Sequence, residues 1–263
     1  MSFSAHWLEL REPLDHAARD PALRAAAAAL LRMPRVATVV DLGCGTGSSF
    51  RALAPHVDAA QAWRLVDHDP ALIAIARRRI GAAAAVEAHP LDLRTLDALP
   101  LAGADLATAS ALFDLVGRDW LRGFVAALTQ ARVPLYAALS YDGHMHWSLS
   151  VADDAAVVAA FNRHQRGDKG LGPALGPDAA GALAEALAAA GYRVLRAPSP
   201  WRIDAAHAAM QRELLHGIAT AARETGDIAE ARVAGWLHAR LERVGSGTCT
   251  VGHEDVLALP DRA

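Results

Sequence analysis

Val39-Val40-Asp41-Leu42-Gly43-Cys44-Gly45-Thr46-Gly47 is the stretch that decides how this chain folds. Two β-branched residues run into an acid, and glycines then alternate with small residues. Behind them, Ser48 to Val57 has helical spacing, with Phe50, Leu53, Ala54 and Val57 on one face. The glycines therefore stand where a buried strand turns sharply into a helix. Glycine tolerates positive φ there and lets backbone approach a bound molecule without a Cβ in the way. The helix that follows offers unpaired N–H groups at its positive end. Strand, glycine turn and helix together form the nucleotide-binding corner of an α/β sheet.

Working outward, strands and helices alternate. Val36 to Asp41 reads as the first strand, and Trp63 to Val66 as the second, ending at Asp67. Asp67 lies roughly 20 residues past the last glycine, where doubly wound nucleotide folds place the acid that accepts both ribose hydroxyls. A carboxylate suits that task because it can take two O–H donors at once. Asp69-Pro70 caps a helix to about Arg79, whose closing arginines complement its dipole before Gly81 ends it. Ala85 to Pro90, Ala104 to Ser110 and Pro134 to Ser140 read as the next strands, with a helix over Arg118 to Ala131. Gly191 to Arg196 is a sixth strand, and the last lies within Thr248 to Leu259. On the N-terminal side, a short helix follows Asp15, and Asp20-Pro21 opens another that runs to about Arg32. Ala197 to Ile203 reads as a loop, and Asp204 and Asp227 each open a helix after it.

Composition narrows the classes. The chain has 263 residues and a net charge of −3, which argues against a dedicated nucleic-acid groove. Apolar residues are 53% but aromatics only 5%, so alanine, a helix former of little core volume, inflates the figure. Two cysteines, Cys44 and Cys249, are no disulfide framework. No apolar run reaches the ~20 residues of a membrane span. A cytoplasmic protein with no membrane partner is the expectation.

A dinucleotide fingerprint is G-x-G-x-x-G. Here the spacing is Gly43-x-Gly45-x-Gly47, one residue shorter, with Asp41 at the strand end. The string resembles motif I of the class I S-adenosylmethionine (SAM) methyltransferases, D-x-G-C-G-T-G, and matches it at every position. The resemblance covers Val36 to Ser140 well and the rest loosely. It implies a doubly wound, Rossmann-like, mostly parallel seven-stranded sheet with helices on both faces and an antiparallel last strand. It implies SAM as cofactor, with Asp41, Gly43, Cys44, Gly45 and Gly47 at the glycine turn. Asp67 would meet the ribose and Asp92 and Leu93 the adenine, His68 and Ser110 would be further cofactor contacts, and Ala111 to Leu115 would meet the methionine part and the acceptor. The segment before motif I would fold over the pocket, so that Trp7, Arg11 and Arg19 line it; the other reading makes the arginines solvated helix surface.

The acceptor half is read from position. Ligands of open α/β sheets bind at the C-terminal strand ends. Asp114, just past the fourth strand, is a base, a substrate hydrogen bond or a cap of the turn before Trp120. Tyr141 to Trp147 reads as a polar-aromatic loop, and residues 141–176 as a helical cap inserted over the active site. His146 is a second catalytic candidate, and Tyr141, His144, Trp147, His164 and Lys169 are candidate acceptor contacts. The expected organisation is one domain, 1–263: an N-terminal helical segment 1–35, a cofactor core 36–140, the cap 141–176, and a C-terminal sheet half with a helical pair, 177–263.

Other chemistries fit less well. His144-x-His146 lacks the further ligands a metal needs, so no metal site is expected. No G-x-S-x-G serine elbow occurs. An NAD(P)-dependent oxidoreductase shares the fold but wants the longer glycine spacing and a catalytic Tyr/Lys pair. A non-catalytic SAM-binding protein shares motif I. Ser110-Ala111-Leu112-Phe113 stands where amide-nitrogen methyltransferases carry N-P-P-Y, which with the acidic balance favours a small-molecule methyl acceptor. The expected reaction is in-line displacement of the sulfonium methyl onto that acceptor.

Overall fold

The glycine turn lies at the centre of a mixed sheet. The computed structural model describes residues 3–261. Its strands are β1 (Ala37–Leu42), β2 (Gln61–Asp67), β3 (Ala85–Pro90), β4 (Leu106–Ser110), β5 (Leu135–Trp147), β6 (Tyr192–Pro198), β7 (Trp201–Ile203) and β8 (Cys249–Pro260). They are ordered β3-β2-β1-β4-β5-β8-β6, with β7 paired to β8. β1 pairs in parallel with β2 on one side and β4 on the other. The winding therefore reverses at the C-terminal end of β1, the switch point where α/β sheets bind ligands.

The helices are α1 (Ala5–Ala18), α2 (Pro21–Leu30), α3 (Ser48–Leu53), α4 (Pro70–Ile80), α5 (Arg118–Ala131), α6 (Asp154–Gln165), α7 (Ala179–Ala189), α8 (Ala208–Thr225) and α9 (Glu230–Leu241). Phe124, Leu128, Leu183 and Leu187 of α5 and α7 cover one face of the sheet. Leu23, Phe50, Leu53 and Ile73 of α2, α3 and α4 cover the other, against Trp63 and Leu65 of β2. Both faces being covered explains why β1 and β4 are built mainly of small and apolar residues. Among the described residues, no helix is long and apolar enough to cross a membrane.

Several expectations are corrected. The sheet has eight strands rather than seven, because Trp201–Ile203 pairs with β8 where a loop was expected. Trp201 and Ile203 are buried and Arg202 is exposed, the alternation of a strand with one wet face. α1 begins at Ala5, not after Asp15, and runs through Pro13, with Ser4 Oγ accepting from Trp7 N at 3.1 Å as its cap.

Tyr141 to Trp147 is not a loop. β5 continues through it, with Tyr141 opposite His253, Met145 opposite Val251 and Trp147 opposite Cys249. Tyr141 and Trp147 are buried while His144 and His146 face solvent. Two irregularities in register, between Ala137 and Ser140 and between Tyr141 and Met145, bend this extension. The far ends of β5 and β8 carry a third core of Trp147, Val157, Trp201, Leu214, Ile218 and Trp236. This second lobe draws on α1, α6, α8 and α9, so the expected boundary between a 141–176 cap and a 177–263 sheet half does not separate what packs together.

Candidate functional site

A cavity of about 420 Å³ opens above the C-terminal ends of β1, β2 and β4. Its floor is the glycine turn. Gly43, Gly45 and Gly47 hold φ of 62°, 50° and 84°, which side-chain-bearing residues rarely adopt. A Cβ on Gly45 would stand 3.1 Å from Leu8 Cδ1, so α1 closes tightly over the turn. Cys44 N donates to Val66 O at 3.0 Å and Gly47 N to Cys44 O at 2.8 Å, locking the turn against β2.

Asp67 is fixed from two sides. Its Oδ2 accepts from Gly45 N at 2.9 Å and its Oδ1 from Asp69 N at 3.0 Å. Each oxygen keeps a further lone pair, and Asp67 and His68 both line the cavity. Asp92 and Leu93 line it too. Asp92 is clamped by Arg94, whose Nε donates to Oδ2 at 2.8 Å and whose backbone N–H donates to Oδ1 at 2.9 Å. These bonds to the Arg94 guanidinium and amide pull the Asp92 carboxyl down to about 2. Ser110 lines the cavity from the end of β4, and its Oγ accepts from Arg19 Nη2 at 3.1 Å.

Asp41, expected at the cofactor, lies outside the cavity wall. It is fully buried, and neither carboxylate oxygen has a hydrogen-bond partner. Desolvation pushes it up to about 7. Asp41 thus stands beneath the turn as a support. Cys44 lines the cavity, but burial raises its thiol well above the ordinary range, which leaves no reactive thiolate.

The acceptor side is built from α1 and the segment after β4. Arg11 and Asp15 line the cavity and are paired, with Arg11 Nε on Asp15 Oδ2 at 2.9 Å. Trp201 Nε1 donates to Asp15 Oδ1 at 2.9 Å, and the Arg11 guanidinium lies 4.9 Å from the Trp201 ring centre. Asp114 sits in a 3-10 turn, Phe113–Leu115, behind the cavity-lining Leu112 and Leu115, and is not itself part of the cavity wall. Its Oδ1 is buried without a partner, and desolvation raises it to about 6, against the opposing charge of Arg11. Tyr141 and His253 stand on the neighbouring strands with ring centres 6.1 Å apart, and burial pushes His253 down to about 3.

The insertion contributes less than expected. Lys169 lines the cavity, with Gly170 and Leu171. His144, His146, Trp147 and His164 do not. His144 is 87% exposed, paired with Asp142, and His146 also faces solvent. Trp147 is buried under the Arg240 guanidinium and against Trp236. Tyr141 donates to Asn162 Oδ1 at 2.8 Å, outside the cavity wall. The polar character of 141–147 marks the wet face of a strand, not an active-site loop. Of the N-terminal candidates, Arg11 lines the cavity; Arg19 is buried behind Ser110, and Trp7 packs into the second lobe. Leu8 and Asp15 were missed. The Arg11-x-x-x-Asp15 spacing, which pairs charges on one helix face, was the available signal.

Residues 39–134 match the family model described as a methyltransferase domain. Curated protein sequences give no match. Among solved structures, the cyclopropane synthase MmaA2 from Mycobacterium tuberculosis is similar at a TM-score of 0.56 and 14% identity, over 97% of this chain and 94% of its own. The YcgJ protein from Bacillus subtilis is similar at 0.51 and 10%, over 93% and 100%. At these identities the likeness speaks for the fold: a Rossmann-like sheet with helices around it.

Proposed function

The chain carries a class I SAM-dependent methyltransferase domain, and on that premise we propose that it methylates a small-molecule acceptor held between α1 and the segment after β4. The single observation that carries the acceptor reading is the placement of Arg11 on the wall of one cavity whose other end is the glycine turn, with the buried Asp114 directly behind the lining Leu112 and Leu115. A net charge of −3 supports a small acceptor over nucleic acid. Both cysteines are free and buried, in keeping with a cytoplasmic setting.

The cavity fits the cofactor. About 420 Å³ falls within the range of small-molecule sites, and the turn presents no Cβ where a ligand must lie close. When bound, SAM supplies a methyl group already activated by its sulfonium. Asp67 accepts the ribose hydroxyls through its remaining lone pairs, with His68 beside it. Asp92 and Leu93 border the adenine, and Gly43, Gly45 and Ser110 face the methionine part. Arg11, held by Asp15 and Trp201, orients the acceptor. Asp114 takes the proton that an O–H or N–H nucleophile gives up, and the buried surround excludes water while the nucleophile lines up.

Calorimetry with S-adenosylhomocysteine and with NADH tests the cofactor; tight binding of NADH alone would overturn the reading. The acceptor side is tested with labelled SAM over a panel of small hydroxy and amino compounds. For a compound that is methylated, kcat/KM rises with pH through about 6 as Asp114 loses its proton. Asp114→Asn lowers kcat/KM roughly 100-fold or more and flattens that rise. A mutant that keeps the wild-type profile removes Asp114 as the base.

A further inference from the structure

Three side chains form a line from solvent into the cavity. Glu224, near the end of α8, accepts from His164 Nε2 at 2.7 Å. That bond places the imidazole proton on Nε2 and leaves Nδ1 as an acceptor. Lys169 Nζ lies 3.2 Å from His164 Nδ1 and donates to it. The ammonium has three donors, so two remain for the cavity it lines. The loop that carries it is pinned: Gly117 N donates to Leu171 O at 2.9 Å, and Gly170 and Gly172 turn the chain with φ of 102° and 84°.

The other cations of the wall are matched. Arg11 is held by Asp15 and Arg94 by Asp92. Among the described residues lining the cavity, Lys169 is the cation with no carboxylate in contact. Glu224 lies on the far side of the His164 ring and is 59% exposed, where water screens it. A half-buried, pre-positioned ammonium with free donors favours an anion, because charge-assisted hydrogen bonds are the strong ones and little side-chain freedom is left to lose. Burial also lowers the pKa of Lys169, the mark of a cation short of a counter-charge.

We infer that Lys169 holds an anionic group, a carboxylate or phosphate, of a reactant bound in this cavity, with Glu224 and His164 as the residues that position it. The inference rests on the methyltransferase reading. The anion has two possible sources: the carboxylate of the cofactor's methionine part, or an acid group on the acceptor.

The test measures binding to wild type, Lys169→Met and Glu224→Ala by calorimetry. One arm compares S-adenosylhomocysteine with 5′-methylthioadenosine, which keeps the nucleoside and thioether but lacks the amino-acid part. The other titrates the S-adenosylhomocysteine complex with benzoate or inorganic phosphate, using benzamide as the neutral control. If the anion is the cofactor's, Lys169→Met weakens S-adenosylhomocysteine roughly tenfold or more and leaves 5′-methylthioadenosine within about twofold. If it is the acceptor's, both nucleosides bind as before, and the mutation abolishes saturable binding of benzoate or phosphate, which benzamide does not show. Glu224→Ala gives a smaller loss of the same anion, roughly threefold, with 5′-methylthioadenosine unchanged. Lys169→Met without effect in either arm, or with equal loss of both nucleosides, overturns the assignment. Failure of wild type to bind S-adenosylhomocysteine at all would sink the methyltransferase reading instead.

Discussion

Asp67 and Asp41 are both acids at strand ends, yet packing gives them opposite characters. Asp67 takes Gly45 N and Asp69 N and faces the cavity. Asp67→Ala leaves two amides and the ligand's hydroxyls unpaired, and S-adenosylhomocysteine binds more weakly by roughly 1–3 kcal/mol. Unchanged affinity in calorimetry would remove Asp67 from the ribose. Asp41 is buried without a partner and raised to about 7. The native state thus keeps a proton that the unfolded chain releases from about pH 4 upward, so stability falls as pH rises from about 4 to about 7. Asp41→Asn removes that slope. Relative to wild type it gains up to roughly 3 kcal/mol between pH 4.5 and pH 8 in urea unfolding. A constant difference across that range would contradict the buried, protonated carboxyl. The motif made Asp41 and Asp67 look alike, because a one-dimensional pattern marks a strand end without saying which side chain points up into the cavity.

At the scale of the element, the β5–β8 pair departs furthest from a regular strand, and one acid accommodates it. Leu139 sits at φ 61° in the first irregularity of β5. Asp255 Oδ1 accepts from Leu139 N at 2.9 Å, while Oδ2 accepts from Tyr136 Oη at 2.8 Å and from Asp20 N at 3.1 Å. One buried carboxylate thereby satisfies a distorted strand, its ring neighbour and the start of α2. Asp255→Ala leaves these donors without partners and costs about 2–4 kcal/mol by denaturant unfolding; a loss under about 1 kcal/mol would show that the irregularity is held by packing alone. Sequence reading found β1 to β4 within a few residues because each is short and bounded by turn residues, and β1 and β4 are largely covered on both faces. It lost β5 past Ser140 because the bend brings Gly143 and two exposed histidines into the strand, the composition of a loop. What distinguishes the two is the partner strand, more than 100 residues away in the chain.

Across the whole molecule, β5 and β8 thread both lobes, so neither lobe has a sheet of its own. The third core gathers Leu14, Trp147, Trp201, Trp236 and Val251 from distant parts of the chain. No local pattern announces such a meeting, which is why the second lobe was invisible while the cofactor corner was plain. Trp236 is 2% exposed, and its Nε1 donates to Asp154 Oδ1 at 2.9 Å. Trp236→Ala costs about 3–5 kcal/mol. Because the strands are shared, heating gives one cooperative transition in both wild type and mutant. Two resolved calorimetric peaks would show that the lobes unfold separately.

β8 is the last strand in the sequence, yet it lies inside the sheet between β5 and β6. A ribosome therefore completes β1 to β7 before the strand that joins β5 to β6 has emerged. Until Cys249 to Pro260 arrives, both neighbours expose unpaired backbone edges, the template on which chains add to one another. The loop-closure entropy of these pairings must be met late, which makes folding slow and the waiting chain prone to association. The order of synthesis thus sets a kinetic hazard that the finished sheet conceals.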